Sequence, residues 1–277
     1  MIARIEWLFM ELRRRLSRSE WLIRIRGLSK SVGTEAQPGL VLVQIDGLSR
    51  PEFERAIANG RMPFLNSLLG KEDYRLSSVF SGLPSNTFGF QGELLYGVPQ
   101  SIPAFGFRDR GTGREMVMYD PRAASAAQKR TEALGSGLLQ GGSSYSNAYS
   151  GGAAESHFCP ATLPIGENEK AGTFFKKLIF LVLHAGSLIP VAALMVLEAG
   201  LAVLDFIRGL IAGQDLAKEL KFVPTRVAIC ILLRELITIG ARIDIARGLP
   251  VIHLNYLGYD EQAHRRGPSS AFAHWTL

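Results

Sequence analysis

Cysteine is nearly missing from this sequence: Cys159 and Cys230 are the only two in 277 residues. A disulfide scaffold and a four-cysteine zinc site are excluded on that count, while one optional disulfide leaves the redox compartment open. Excess charge is also scarce outside the N-terminus. The net charge is +6, but eight Lys/Arg against three Glu place +5 within residues 1–30 and only +1 over the rest. Basicity gathered at one end is not a nucleic-acid-binding face, and no DNA- or RNA-binding fingerprint accompanies it. Neither a charge-free apolar core nor a small-residue cleavage site follows those basic residues, so the start is not a secretory signal. Apolar content of 47% with 20% charge describes a folded chain, long enough for one large domain or two modest ones.

What is there begins with a helix. In MIARIEWLFMELRRRL the residues Ile2, Ile5, Phe9, Leu12 and Leu16 recur at steps of three and four, giving one apolar stripe and a basic opposite face. Residues 1–30 therefore form a basic amphipathic region. It either packs on the domain or lies on an anionic membrane surface with Trp7 and Phe9 buried, which would put the N-terminus on the cytoplasmic side.

GLVLVQIDGLSR (39–50) reads as a buried strand that ends at Asp46, where ligands gather in open α/β sheets. A helix closed by Asn59-Gly60 and a second one after Pro63 follow. YRLSSVFSGLPSNTF (74–88) reads as a strand, then a turn at Gly82-Leu83-Pro84, then Thr87 near a helix start. A hydroxyl there is a cap, or a nucleophile facing free backbone N–H groups. The Gly- and Ser-rich residues 135–153, with Tyr145, Asn147 and Tyr149 interleaved, read as a surface loop or flexible connection, with an ordered substrate-side loop as the lesser reading.

Between Lys177 and Glu198 lie twenty residues without Asp, Glu, Lys or Arg. Twenty is about the length that crosses a bilayer's hydrocarbon core. His184, Pro190, Glu198 and Asp205 speak against a simple span, so residues 173–213 are a helical insertion that spans, dips into one leaflet, or packs as a buried helical pair. Pro224 is expected to open a long helix stopped by Gly248 and Pro250. PVIHLNYLGYDE then forms a second buried strand ending, like the first, in an acidic residue. Strand, helix, strand, helix is the α/β pattern, and it brings Asp46 and Asp260 towards one edge of a common sheet.

In YLGYDEQAHRRGP, Asp260 and His264 stand one helical turn apart on the same side, the spacing of two ligands of one metal ion and equally of an ordinary solvated helix start. Asp46 in VQIDGLSRPEF, Thr87 in GLPSNTFGF and this Asp-X-X-X-His followed by Gly-Pro together resemble the alkaline phosphatase superfamily. The nearest branch is the type I phosphodiesterase/nucleotide pyrophosphatase group. The resemblance covers residues 39–110 and 249–270; residues 125–248 have no counterpart in it.

The resemblance implies an alkaline-phosphatase-like α/β fold over 39–277, with a mixed or parallel sheet flanked by helices. It implies a metal-dependent hydrolase of phosphate esters, with Thr87 as a nucleophile that becomes phosphorylated. Two divalent ions, zinc or else manganese, would be held by Asp46, Thr87, Asp260 and His264. The chemistry suits those residue types, since paired cations stabilise the non-bridging oxygens and activate a hydroxyl that is otherwise a poor nucleophile.

Two departures accompany it. There is no Asp-His dipeptide and only His274 lies beyond His264, so metal ligands of the family are lacking, and AFAHWTL reads as the middle of a helix. A member cut short at its C-terminus is the expectation. The family's phosphate-binding Asn is also lacking; Arg108 or Arg110 in FGFRDRGTGR takes that role or serves as a surface salt-bridge partner. The alternative to an enzyme is a catalytically incomplete, membrane-associated binding module that keeps the fold, and the alternative to membrane association is a cytoplasmic protein. His253 reads as a core residue, and His157 with Cys159 as a pair that nothing nearby completes.

Overall fold

The computed structural model describes residues 17–30, 38–71, 74–83, 85–99, 102–162, 185–211 and 213–277. The amphipathic pattern of residues 2–16 and His184 lie outside them. The elements in order are α1 (Arg18–Arg26), β1 (Leu40–Ile45), α2 (Arg50–Ala58), α3 (Pro63–Leu69), α4 (Thr87–Tyr96), β2 (Gly106–Arg108), β3 (Glu115–Val117), α5 (Pro121–Glu132), β4 (Ser143–Tyr145) and β5 (Glu155–His157). Then come α6 (Ala185–Ile211), α7 (Leu216–Val227), α8 (Arg234–Arg247), β6 (Val251–Tyr256), α9 (Gly258–Arg266) and α10 (Ala271–His274).

The chain is α/β, with a four-stranded sheet in the order β1-β6-β4-β5 whose pairings are all parallel. A separate antiparallel hairpin joins β2 to β3. Strand β6 is the last in sequence but lies between β1 and β4 in the sheet, and its residues Val251–Asn255 are buried. Alternate residues of β6 serve opposite layers, as the two-residue period requires. Val251 joins the core under α4 and α5 with Phe88, Leu95, Met118 and Tyr149. Ile252 and Leu254 pack with Tyr145, Ile237 and Ala241 under α8. Helix α1 adds Leu22 and Ile23 to Ile239 and Ile243 of α8, so this part of the N-terminal region packs on the domain.

Several expectations are corrected. The Gly- and Ser-rich stretch is a surface loop only at its start, where Ser136, Leu138, Gln140 and Gly141 are exposed; Ser143–Gly151 is buried and contains β4. The small residues are there for close approach. A Cβ on Gly142 would strike the Val251 carbonyl, and one on Gly137 the Gly151 backbone. Beside them Tyr145 donates to Asp244 at 2.6 Å, and Arg247 ties Asp244 (2.8 Å) to Glu155 and the Ser29 carbonyl (2.9 Å).

The strand expected at 74–80 does not form, and Tyr74, Leu76, Val79 and Phe80 stand exposed. Its β pattern finds no ladder to join. For the same reason β1 is not buried: it pairs only with β6 among the described residues, leaving Leu40, Val41 and Val43 exposed.

Pro224 lies inside α7 and does not open a helix. A proline there removes one helical hydrogen bond, and the chain passes into a π-helical stretch at Ala228–Leu233 before α8 resumes. AFAHWTL is a short helix, α10, capped by Ser270, whose side chain accepts from the Ala273 amide at 3.2 Å. The expected helices at 50–58 and from Pro63, the start near Thr87 and the core placement of His253 agree with the structure.

Two glycines give a paired test of this packing. Gly142→Ala is expected to destabilise the fold by about 1–3 kcal/mol, because backbone cannot yield as a side chain does. Gly200→Ala, with nothing within 4 Å of its Cβ in mid-helix, should stabilise by about 0.5–1 kcal/mol. Denaturant unfolding of the two variants checks both signs.

Candidate functional site

The in-register pairing of β1 with β6, from Leu40 opposite Val251 to Ile45 opposite Tyr256, brings both strands to a common level. One more bond, from the Asp46 amide to the Tyr256 carbonyl at 3.0 Å, continues the ladder past the strand end. The chain then turns through Gly47 at φ +69°, a region open to glycine at little cost. The missing side chain matters as much as the angle. A Cβ on Gly47 would collide with the Asp260 carboxylate, so Asp260 stands directly against the Asp46-Gly47 turn.

Asp260 lies in the first turn of α9, where the helix dipole favours a negative charge. His264, one turn on, places Nε2 at 3.4 Å from the Asp260 carboxylate, with its side chain 80% exposed. Thr87 is the first residue of α4. Asn86, not Thr87, is the cap, accepting from the Gly89 amide at 2.9 Å, so the threonine hydroxyl is left for another partner. That partner is Asp46: Thr87 Oγ1 donates to its carboxylate at 3.2 and 3.3 Å. Thr87, Asp46 and the Asp260–His264 pair are thus brought together from three separate stretches of chain.

The electrostatics are unusual for buried carboxylates. Burial raises the pKa of Asp46 above the ordinary 3.8, and the neighbouring Asp260 charge raises it further, against hydrogen bonding from Asn255, Thr87 and Gln44. Burial likewise raises Asp260, opposed by His264 and reinforced by Glu261. No lysine or arginine among the described residues forms an ion pair with either carboxylate. Two acids held together without a strong cationic partner form a place that a divalent cation would neutralise.

A chain of amides supports Asp46 from behind. Gln44 Nε2 donates to Asp46 at 3.3 Å, and Gln91 Nε2 donates to Gln44 Oε1 at 3.2 Å and to Asn147 Oδ1 at 3.1 Å. Gln91 Oε1 accepts the Ala148 amide at 2.6 Å, and Asn147 Nδ2 donates to Ser144 Oγ at 2.9 Å. The buried Asn255 amide bears on Asp46 without closing a bond of full geometry. Below it, Ile45, Ile229, Leu233, Ile237 and Leu257 line a cavity of about 180 Å³ beside the ends of β1 and β6.

Tyr119, which sequence reasoning did not single out, stands 70% exposed over Phe88, the neighbour of Thr87 in the chain. Its ring meets Phe105 and Phe88 edge-on, with centroids at 4.2 and 6.2 Å. Burial raises its pKa, and the charges of Glu261 and Asp260 raise it further. No spacing signal marks it in MVMYDP; only the fold brings it over Phe88.

The other candidates lie elsewhere or do other work. Arg108 donates to the Gly113 carbonyl at 3.0 Å within its own hairpin, and Arg110 is exposed in the turn. Neither has a hydrogen bond or ion pair to Asp46, Thr87, Asp260 or His264 among the described residues. His274 is buried against Glu52 at 2.7 Å. His253 is buried and its pKa is pushed down to about 4 by desolvation. His157 stacks on Tyr145 at 4.8 Å, and Cys159 is buried against Ser144. Among the described residues there is no group of three or more His, Cys, Asp or Glu side chains disposed to hold a metal ion.

Comparison with protein-family models, with curated proteins and with solved structures finds no match to this chain. The site is therefore argued from its own geometry.

The raised carboxylates carry a signed prediction. A group whose folded pKa exceeds its unfolded value favours the fold at low pH and withdraws that support as pH rises. In the absence of divalent cations, stability should fall as pH climbs from about 3.8 through the raised pKa of Asp46. Asp46→Asn should flatten that fall and be more stable than wild type at neutral pH. Thermal melts across a pH series in chelator check this.

Proposed function

We propose that the chain is a metal-dependent hydrolase of phosphate esters, with the alkaline-phosphatase-like architecture that its motifs resemble. The observation that carries the reading is the Thr87 hydroxyl held on the Asp46 carboxylate at 3.2 Å, with Asp260 beside it at the carboxyl ends of two parallel strands. Carboxyl ends of parallel strands are where α/β sheets present ligands.

The donor set suits divalent metal. Asp46, Thr87 and Asp260 are oxygen donors, and His264 adds an exposed imidazole, a mixed set suited to zinc, with manganese as the alternative. Such ions, when bound, supply charge stabilisation for phosphate oxygens and lower the pKa of a coordinated hydroxyl. The rest is work for the chain's own residues. Asp46 fixes the orientation of Thr87 by accepting its hydrogen bond, and the Gln44–Gln91–Asn147 amides keep Asp46 from turning away. The start of α4 directs its leading amides towards anionic oxygens near Thr87. Tyr119 offers a neutral phenol donor on the Asp260 side, and Arg108 and Arg110 are the chain's candidates for longer-range phosphate contact. Thr87 Oγ passes its proton to the Asp46 carboxylate and forms the bond to phosphorus as the bond to the ester oxygen breaks and the alcohol leaves with a proton from solvent. Water then cleaves the Thr87–phosphoryl bond, which restores the hydroxyl and releases the phosphate, or the phosphate monoester from a diester.

A second reading rests on the donor count. Four candidate ligands fall short of the six or seven that fill two ordinary sites, and the described residues offer no cluster of three acidic, His or Cys ligands. On that reading the fold is kept as a binding module without turnover.

A chromogenic phosphodiester assayed with added zinc or manganese separates the two. The hydrolase reading expects metal-dependent turnover that Thr87→Ala lowers by about 100-fold or more. Turnover untouched by Thr87→Ala would remove Thr87 from the mechanism. Metal binding without turnover would leave the binding module.

A further inference from the structure

Helix α6 is built inside out. Its inward face, on a seven-residue repeat, carries Val191, Glu198 and Asp205, all buried. Both carboxylates are neutralised there. Glu198 pairs with the fully buried Arg226 of α7. Asp205 pairs with Arg265 at 3.1 Å and Arg266 at 2.7 Å, both on α9, and Glu219 of α7 joins the same two arginines. The outward face holds Leu194, Val196, Leu197, Val203, Leu204 and Ile207, with Val196 74% and Leu197 60% exposed. From Ala192 to Ile207 no outward side chain carries a charge or a hydrogen-bonding group. A helix facing water has the opposite arrangement, polar outside and apolar within.

We infer that this outer face of α6 rests in the surface layer of an anionic lipid bilayer, with the helix lying along the membrane plane. Two features favour lipid over a protein partner. A protein interface mixes its apolar core with polar and aromatic groups and a hydrogen-bonding rim, whereas this face offers aliphatic surface alone. Basic residues bracket it: Lys176 and Lys177 precede the apolar run in sequence, and exposed Arg208 and Lys221 follow it with a single exposed acid, Asp215, between them, a net positive balance that suits anionic headgroups. The face from Ala192 to Ile211 is about 30 Å long at 1.5 Å per residue. Among the described residues no helix is long and apolar enough to cross a membrane.

The arginines that hold α6 follow directly on His264. The lipid-facing layer and the candidate site are therefore joined through α9. The inference stands whether or not the site hydrolyses phosphate esters.

The test is flotation of the full chain with vesicles of phosphatidylcholine, with and without phosphatidylglycerol. Wild type should float with the anionic vesicles. The double variant Leu197→Ser, Leu204→Ser should lose at least about tenfold in partitioning, since each leucine that leaves lipid forfeits a large transfer free energy. Its far-ultraviolet circular dichroism and melting temperature should match wild type, because both positions are already exposed. Arg208→Glu should weaken binding to the anionic vesicles alone. Undiminished flotation of the leucine variant would overturn the inference. So would a wild type that ignores vesicles, whether it sediments as a dimer that the leucine substitutions dissolve or as a monomer with the face bare.

Discussion

The parallel, in-register ladder between β1 and β6 is the constraint on which the rest of the site depends. It sets Asp46 and the start of α9 at one level, so Asp260 meets the Asp46-Gly47 turn although 213 residues separate Gly47 from Asp260 in sequence. Like charges brought together and half removed from water oppose folding unless protonated or neutralised. That opposition is the physical content of the raised carboxylate pKa values. Among the described residues no lysine or arginine forms an ion pair with either carboxylate, and that is the ground on which a cation is proposed there.

Rigidity behind the pair comes from an unexpected quarter. Gly142 leads into strand β4 because the backbone there passes close to β6, and the small Ser144 of β4 leaves room for Asn147 and Gln91. Those amides reach Asp46 through Gln44. On the opposite side of the sheet, Tyr145 of β4 is anchored by Asp244. The same strand thus serves the site on one face and the helical layer on the other, and loss of its close approach would be felt at both.

What was legible in the sequence was the part carried by strong local signals. An apolar run stopped by Asp46-Gly47, a second one stopped near Asp260, and a helix start after Pro84 placed three of the four site residues, and the four-residue spacing placed His264. What was not legible depended on tertiary context. Glycine and serine mark turns by composition, and only the neighbouring Val251 backbone shows why the buried position before β4 is Gly142. Pro224 starts helices by preference, yet it sits within α7 because a π-helical stretch follows and absorbs the disruption. Residues 74–80 have strand composition but no ladder to join. Tyr119 and the buried amides give no periodic signal, being recruited by position. In the apolar segment the sequence sets Glu198 and Asp205 against a simple span, and only the structure shows that both face inward to arginines and leave the outer surface aliphatic.

The central claim is that Asp46 and Asp260 together form a cation site. Calorimetric titration of zinc into the metal-free full chain tests it most directly, beside the Asp46→Asn and Asp260→Asn variants. The account expects saturable binding by wild type that either substitution severely weakens. Equal binding by all three proteins, or none by a folded wild type, would contradict it, and the pairing of the two carboxylates would then be a structural feature without a ligand.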